Sequence, residues 1–217
     1  MAKVGQNSEP KRILRLFPRL KRGDRISLVE LFEKSAEWNI DFIVMMALAT
    51  ALAALGLLQN STPVVIGAML VAPLMSPLIG SGFALVQGNL DLFLGSMKAM
   101  SYGVICGFLI SFLLGFCTME YELTLEVMAR GNVNFLDLLV AFLSGVAAAY
   151  SMGRPELFAT IAGVAIAAAL VPPLAVVGIA CASGVYWLAG ASAVLLITNL
   201  VAIILGAAFV FRCLGVH

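Results

Sequence analysis

The sequence predicts an all-α integral membrane protein of six transmembrane helices, read as a 3+3 inverted-topology repeat with a proline-interrupted second helix in each half. Three observations lead there. Hydrophobic residues fill 62% of the 217 positions and charged residues only 12%, which leaves too little polar surface for a water-soluble domain of this length. Six apolar runs, at about 40–58, 64–86, 92–117, 134–152, 157–182 and 187–211, approach or exceed the roughly 20 residues that a helix needs to cross hydrocarbon. Two stretches, Ile66 to Gly80 (IGAMLVAPLMSPLIG) and Ile161 to Gly178 (IAGVAIAAALVPPLAVVG), each carry a pair of prolines near the middle.

The first 38 residues form a basic arm ahead of the membrane domain, which takes in 39–217. Residues 11–25 (KRILRLFPRLKRGDR) interleave Ile13, Leu14, Leu16, Phe17 and Leu20 with Lys11, Arg12, Arg15, Arg19, Lys21 and Arg22, a pattern suited to an anionic lipid surface and equally to a topogenic flank. Pro18 argues against one continuous helix there. Ser27 and Glu30 have capping-box spacing, and Leu28, Leu31, Phe32 and Trp38 recur at helical intervals, which predicts an interfacial helix feeding the first span. The first apolar run starts well behind this polar arm and no small-residue cleavage site precedes it, so no signal peptide is expected.

Orientation follows from the basic residues. Those of the arm, together with Arg154 between spans four and five and Arg212 at the end of span six, fall on one side of a six-span topology. The loop after span three, on the other side, holds Arg130 but also Glu120, Glu122 and Glu126. Both termini are therefore expected in the cytoplasm. Span five ends at Ser183 and Gly184 without a charge.

Aligning Pro73 with Pro173 sets Leu74 over Leu174 and, after a four-residue gap, Gly88 over Gly184. With an odd number of spans per half, the second half enters the membrane in the opposite direction, a plan found among transporters. Small residues form stripes at helical spacing, Ala141, Gly145 and Ala149 on span four and Ala202 and Gly206 on span six, as close helix contacts require.

The segments NSTPVVIGAMLVAPLMSPLIG (60–80), RPELFATIAGVAIAAALVPPLAVVG (154–178) and TNLVAI (198–203) closely resemble the signatures of the domain of unknown function 389 family, prokaryotic multi-pass membrane proteins. The resemblance spans residues 38 to 211 and implies a helical bundle in the prokaryotic cytoplasmic (inner) membrane, with no settled activity to carry over. Many relatives in that family have a larger soluble region attached, where this sequence has only the short arm.

Candidate functional residues follow from the cost of polar groups in hydrocarbon. Proline leaves a backbone carbonyl unpaired, which lipid cannot satisfy, so Pro73, Pro77, Pro172 and Pro173 are expected to face neighbouring helices or a wet cavity. Thr198 and Asn199 fall near the centre of span six and must find partners or water. Thr50, Ser76 and Ser81 would join them if spans one, two and six meet. Freed carbonyls suit a cation or polar neutral solute, whereas half-helix amino termini favour an anion, and the sequence leaves both open. Asp41 and Lys98, near one end of spans one and three, form a candidate charge pair or gate, with Asp137 near the other end of span four. Each is equally consistent with interfacial solvation.

Enzyme chemistry is not expected. The single histidine is His217, and no carboxylate pair, metal-ligand spacing or phosphate-binding glycine loop is present. No cofactor, metal or nucleic acid is implied. Cys106, Cys117, Cys181 and Cys213 read as packing residues, with a Cys117–Cys181 bridge as the alternative. The reading that results is a transporter or channel for a small ion or solute, lined by the proline-broken helices two and five and the polar residues of helix six, and a homo-oligomer is expected. The alternative is a non-transporting oligomeric scaffold that organises lipid or a partner protein, its prolines serving only to bend helices.

Overall fold

The computed structural model describes residues 26, 28–33, 39–118, 123–132, 134–153 and 159–216, with backbone alone for 159–165. Among these residues the chain is helical and carries no strand. The arm residues Lys11, Arg12, Arg15, Arg19, Lys21 and Arg22, and also Trp38 and Arg154, lie outside the described residues.

The helices run in the order α1 (Ile40–Leu58), α2 (Thr62–Val71), α3 (Met75–Gln87), α4 (Leu90–Cys117), α5 (Leu125–Ala129), α6 (Phe135–Met152), α7 (Ala159–Ala182) and α8 (Tyr186–Cys213). Four of them, α1, α4, α6 and α8, are long and apolar enough to cross a membrane, and the bent pair α2 and α3 makes a fifth candidate span. In α7 the stretch Ile166–Ala182 is apolar but shorter. These elements establish a multi-pass helical bundle with four to five candidate spans.

Helix boundaries have local causes. Asn39 caps α1 by accepting from the Asp41 amide at 3.1 Å, and Asn89 caps α4 by accepting from the Leu92 amide at 3.0 Å. Pro63 sits in the first turn of α2, where its missing N–H breaks no bond. Gly88 (φ 68°) and Gly184 (φ 72°) follow α3 and α7 in the left-handed region that glycine enters freely. The next amide then reaches back to close the helix end, Asn89 to the Ala84 carbonyl at 3.1 Å and Val185 to the Ala180 carbonyl at 2.9 Å.

The core is built around α7, which packs against α1, α2, α4, α6 and α8. The small-residue stripes do what their spacing predicts. Ala141, Gly145 and Ala149 of α6 are buried, and a Cβ on Gly145 would strike the Ile203 carbonyl of α8, as one on Gly206 would strike the Phe142 carbonyl of α6. Backbone-to-backbone approach thus holds α6 against α8, the arrangement that small residues permit in lipid, where apolar surface gives helices little reason to associate.

Two connections tie the ends together. The α5 segment clips onto the α1–α2 turn: Thr124 Oγ1 donates to the Leu57 carbonyl at 2.6 Å, the Glu126 amide donates to Asn60 Oδ1 at 3.1 Å, and Thr62 Oγ1 donates to Glu126 Oε1 at 2.5 Å. On its other flank Ser192 Oγ of α8 donates to the Arg130 carbonyl at 3.2 Å. At the opposite end of the bundle, residues 28–33 form a helical turn whose Phe32 is only 1% exposed, seated against Phe83 of α3 and Phe211 of α8. The amphipathic pattern of this segment is thus directed into the bundle through Leu28 and Phe32.

Candidate functional site

The two proline pairs behave differently. Pro73 ends α2: Ala72 adopts an extended conformation (ψ 122°), the preference of a residue that precedes proline, and α3 departs at 58°. Pro77 falls in the first turn of α3. The expectation of a proline-interrupted helix holds in this half. In α7 it does not, because Pro172 and Pro173 lie inside a helix that continues through them from Ala159 to Ala182.

A hydrogen bond from another helix supports that continuity at one of the two prolines. A proline at position 173 removes the donor for the carbonyl four residues earlier, that of Ala169. Asn199 Nδ2, from the middle of α8, donates to this Ala169 carbonyl at 2.9 Å. A carbonyl can only accept, so the amide nitrogen must face it and Asn199 Oδ1 is left over. That oxygen is buried without a partner, on a side chain only 3% exposed. An unpaired buried acceptor costs about 1–3 kcal/mol, which marks the position as one where water or a solute is worth binding.

Asn199 forms part of the wall of a cavity of about 150 Å³ with Thr198, Leu195, Asn134, Phe135 and Leu138. Asn134 is the N-cap of α6, so the cavity links the middle of α8 with the start of α6. Sequence reasoning missed Asn134 and the Ala169 carbonyl, although counting back four residues from Pro173 finds the second. Thr198 Oγ1 donates within its own helix to the Val194 carbonyl at 2.9 Å.

The first half supplies a second set of polar groups at the α2–α3 break. The last carbonyls of α2 and the first amides of α3 have no partner within their own helices, and Leu74, the N-cap of α3, offers no side-chain acceptor. Ser76 is half-buried beside the break. Thr50 and Ser81 are buried, and each hydroxyl donates back into its own helix, to Met46 and to Pro77, both at 2.8 Å. The described hydrogen bonds do not join Thr50, Ser76 or Ser81 to Asn199.

Of the charged candidates, Asp41 and Asp137 sit in first turns and Lys98 lies about two turns into α4. Asp41 and Lys98 are both exposed and share no ion pair. Asp137 accepts from the Asn134 amide at 3.2 Å, the carboxylate half of a capping box at the start of α6, which gives it a structural role. Among the described residues the four cysteines are free, so the alternative of a Cys117–Cys181 bridge is not realised. No cluster of three or more metal-ligating side chains occurs among the described residues.

The profile of the domain of unknown function DUF389 matches residues 69–205, which take in α3 through most of α8 and both proline pairs. An uncharacterised protein of the archaeon Methanocaldococcus jannaschii, MJ0678, is 26% identical over 212 residues, covering 97% of this chain and 62% of the relative. The chain thus spans under two thirds of the length of that relative. No solved structure matches it.

Proposed function

The chain belongs to the DUF389 family, and we propose that it is a membrane transporter or channel for a small ion or polar solute. The pathway would be lined by the α2–α3 break, the Pro172–Pro173 face of α7, and Thr198 and Asn199 of α8. The observation that carries this reading is the break at residues 72–74 within an otherwise apolar span. Irregular backbone at membrane depth is stable only against protein or a wet cavity. The buried unpaired Asn199 oxygen in a cavity wall points the same way.

The reading includes six spans, with α7 as the fifth, arranged as two inverted halves. The packing supports this. In each half all three spans pack on one another, and across the halves α4 packs on α7 as α3 packs on α8, the pairings that a two-fold exchange requires. The left-handed glycines at the aligned positions Gly88 and Gly184 agree. Both termini are assigned to the cytoplasm and the protein to the inner membrane. The basic arm is assigned to anionic lipid and the chain to a homo-oligomer without catalytic activity, checked by lipid retained through purification and by native mass spectrometry.

A scaffold role is the second reading, and the backbone contact between α6 and α8 favours it, because it seals that interface. Flux separates the two. Liposomes holding the purified protein are compared with empty liposomes and with the Asn199→Ala variant for gradient-driven movement of sodium, potassium, protons and chloride. Selective flux that falls in a folded Asn199→Ala protein supports the pathway and names its ion class. No flux of any of the four from folded wild-type protein removes an ion pathway and favours the scaffold.

A further inference from the structure

We infer that the helical turn at residues 28–33 is a detachable plug, with Phe32 covering a buried site between α3, α4 and α8 that has the Ser96 hydroxyl at its base. Three observations meet at this place. Phe32 is 1% exposed, with its ring centroid 5.3 Å from that of Phe83 and 6.3 Å from that of Phe211. Gly80 of α3 presents bare backbone to the ring: a Cβ there would lie 3.2 Å from Phe32 Cδ1 and 3.3 Å from Ser96 Oγ. Ser96 is wholly buried, and its hydroxyl has no hydrogen-bond partner.

A hydroxyl in a dry helical interface ordinarily bonds back to a carbonyl of its own helix, as Ser81, Ser111 and Ser144 do here. Ser96 does not, and an unsatisfied hydroxyl is costly in a permanently dry site. Its environment is therefore read as one that water reaches when the aromatic ring withdraws. Withdrawal involves few side chains, because Leu28 and Phe32 are buried and Val29 is half-buried against the core, whereas Ile26, Glu30, Leu31 and Glu33 are exposed. A short segment held by a few apolar side chains at the edge of the core belongs to the part of a fold that opens locally. The pocket lies against α3, the limb that follows the Pro73 break, so the plug closes the end of the bundle towards which that limb leads.

Cysteine labelling in nanodiscs tests this. In a background with Cys106, Cys117, Cys181 and Cys213 replaced by alanine, Ser96→Cys is expected to react slowly with a water-soluble maleimide. Adding Phe32→Ala should raise the rate at least tenfold. Gly80→Ala, whose new methyl group presses on the ring, should raise it by a smaller factor, and Phe32→Leu should preserve protection. Ser144→Cys, buried in α6, reports on the rest of the fold and should stay protected throughout. Fast labelling of Ser96→Cys with Phe32 in place overturns the plug, as does unchanged protection in Phe32→Ala. Equal unmasking of Ser144→Cys also overturns it, making Phe32 an ordinary core residue. The assay is independent of transport: a protein that labels as stated but carries no flux of the four ions keeps the plug and loses the ion pathway.

Discussion

Pro73 and Pro173 each sit in the middle of an apolar stretch, yet the chain turns at the first and runs straight through the second. Spacing explains part of the difference. Pro73 and Pro77 are four residues apart, so the chain can leave α2 at Ala72 and restart at Met75 with the second proline in a first turn, where it breaks no bond. Pro172 and Pro173 are adjacent and offer no such restart. They are enclosed by neighbouring helices, and the carbonyl freed by Pro173 receives the Asn199 amide. A donor from another helix thus compensates one of the two carbonyls that the α7 prolines free, and the α2–α3 break is not shown to receive such a bond.

The largest expected effect tests that donor directly. Asn199→Leu strands the Ala169 carbonyl and should lower stability by about 1–3 kcal/mol, read as the unfolding midpoint in detergent. Adding Pro173→Ala restores a backbone N–H to the same carbonyl and should recover at least about 1 kcal/mol, while Pro173→Ala alone should be near neutral. Additive effects in this double-mutant cycle would mean that Asn199 is not what carries α7 through its prolines, and the account of the two regions would fail.

This contrast also marks what was legible in the sequence. The apolar runs place the helices closely: 40–58 is α1, the run at 64–86 is divided into α2 and α3, and the other four differ from the observed helices by a few residues at their ends. The break at Pro73 was legible because proline and its preceding residue act locally. Continuity through Pro172 and Pro173 was not, because it draws on Asn199, a side chain 30 residues beyond the Ala169 carbonyl that it meets. Phe32 shows the same limit: a helical period identifies an apolar face but does not say whether lipid or the bundle covers it. At the candidate site Asn199 was found from its cost in hydrocarbon, whereas Asn134 became visible only once α6 was seen to start beside it.

A smaller effect should separate the prolines by function. Pro73→Ala lets α2 continue towards α3, so stability should stay level or rise by up to about 1 kcal/mol while flux falls. Pro172→Ala, in a helix that is already continuous, should leave flux close to wild type. Flux measured in matched liposomes sharpens the comparison if Pro73→Ala alone impairs it. Equal losses in both variants would place the working feature in the proline-bearing faces and not in the break.

The smallest expected difference lies where the halves agree. Gly88 and Gly184 share a left-handed backbone, and a Cβ at either position would meet no atom within 4 Å. Substitution by alanine therefore costs only the backbone preference, about 1 kcal/mol at each site. The two unfolding free energies should fall together to within about 0.5 kcal/mol, the usual margin for independent sites. A larger gap would show that one helix end bears load that the other does not. The aligned glycines would then share a turn type without sharing a role, and the case for two equivalent halves would rest on the helix packing alone.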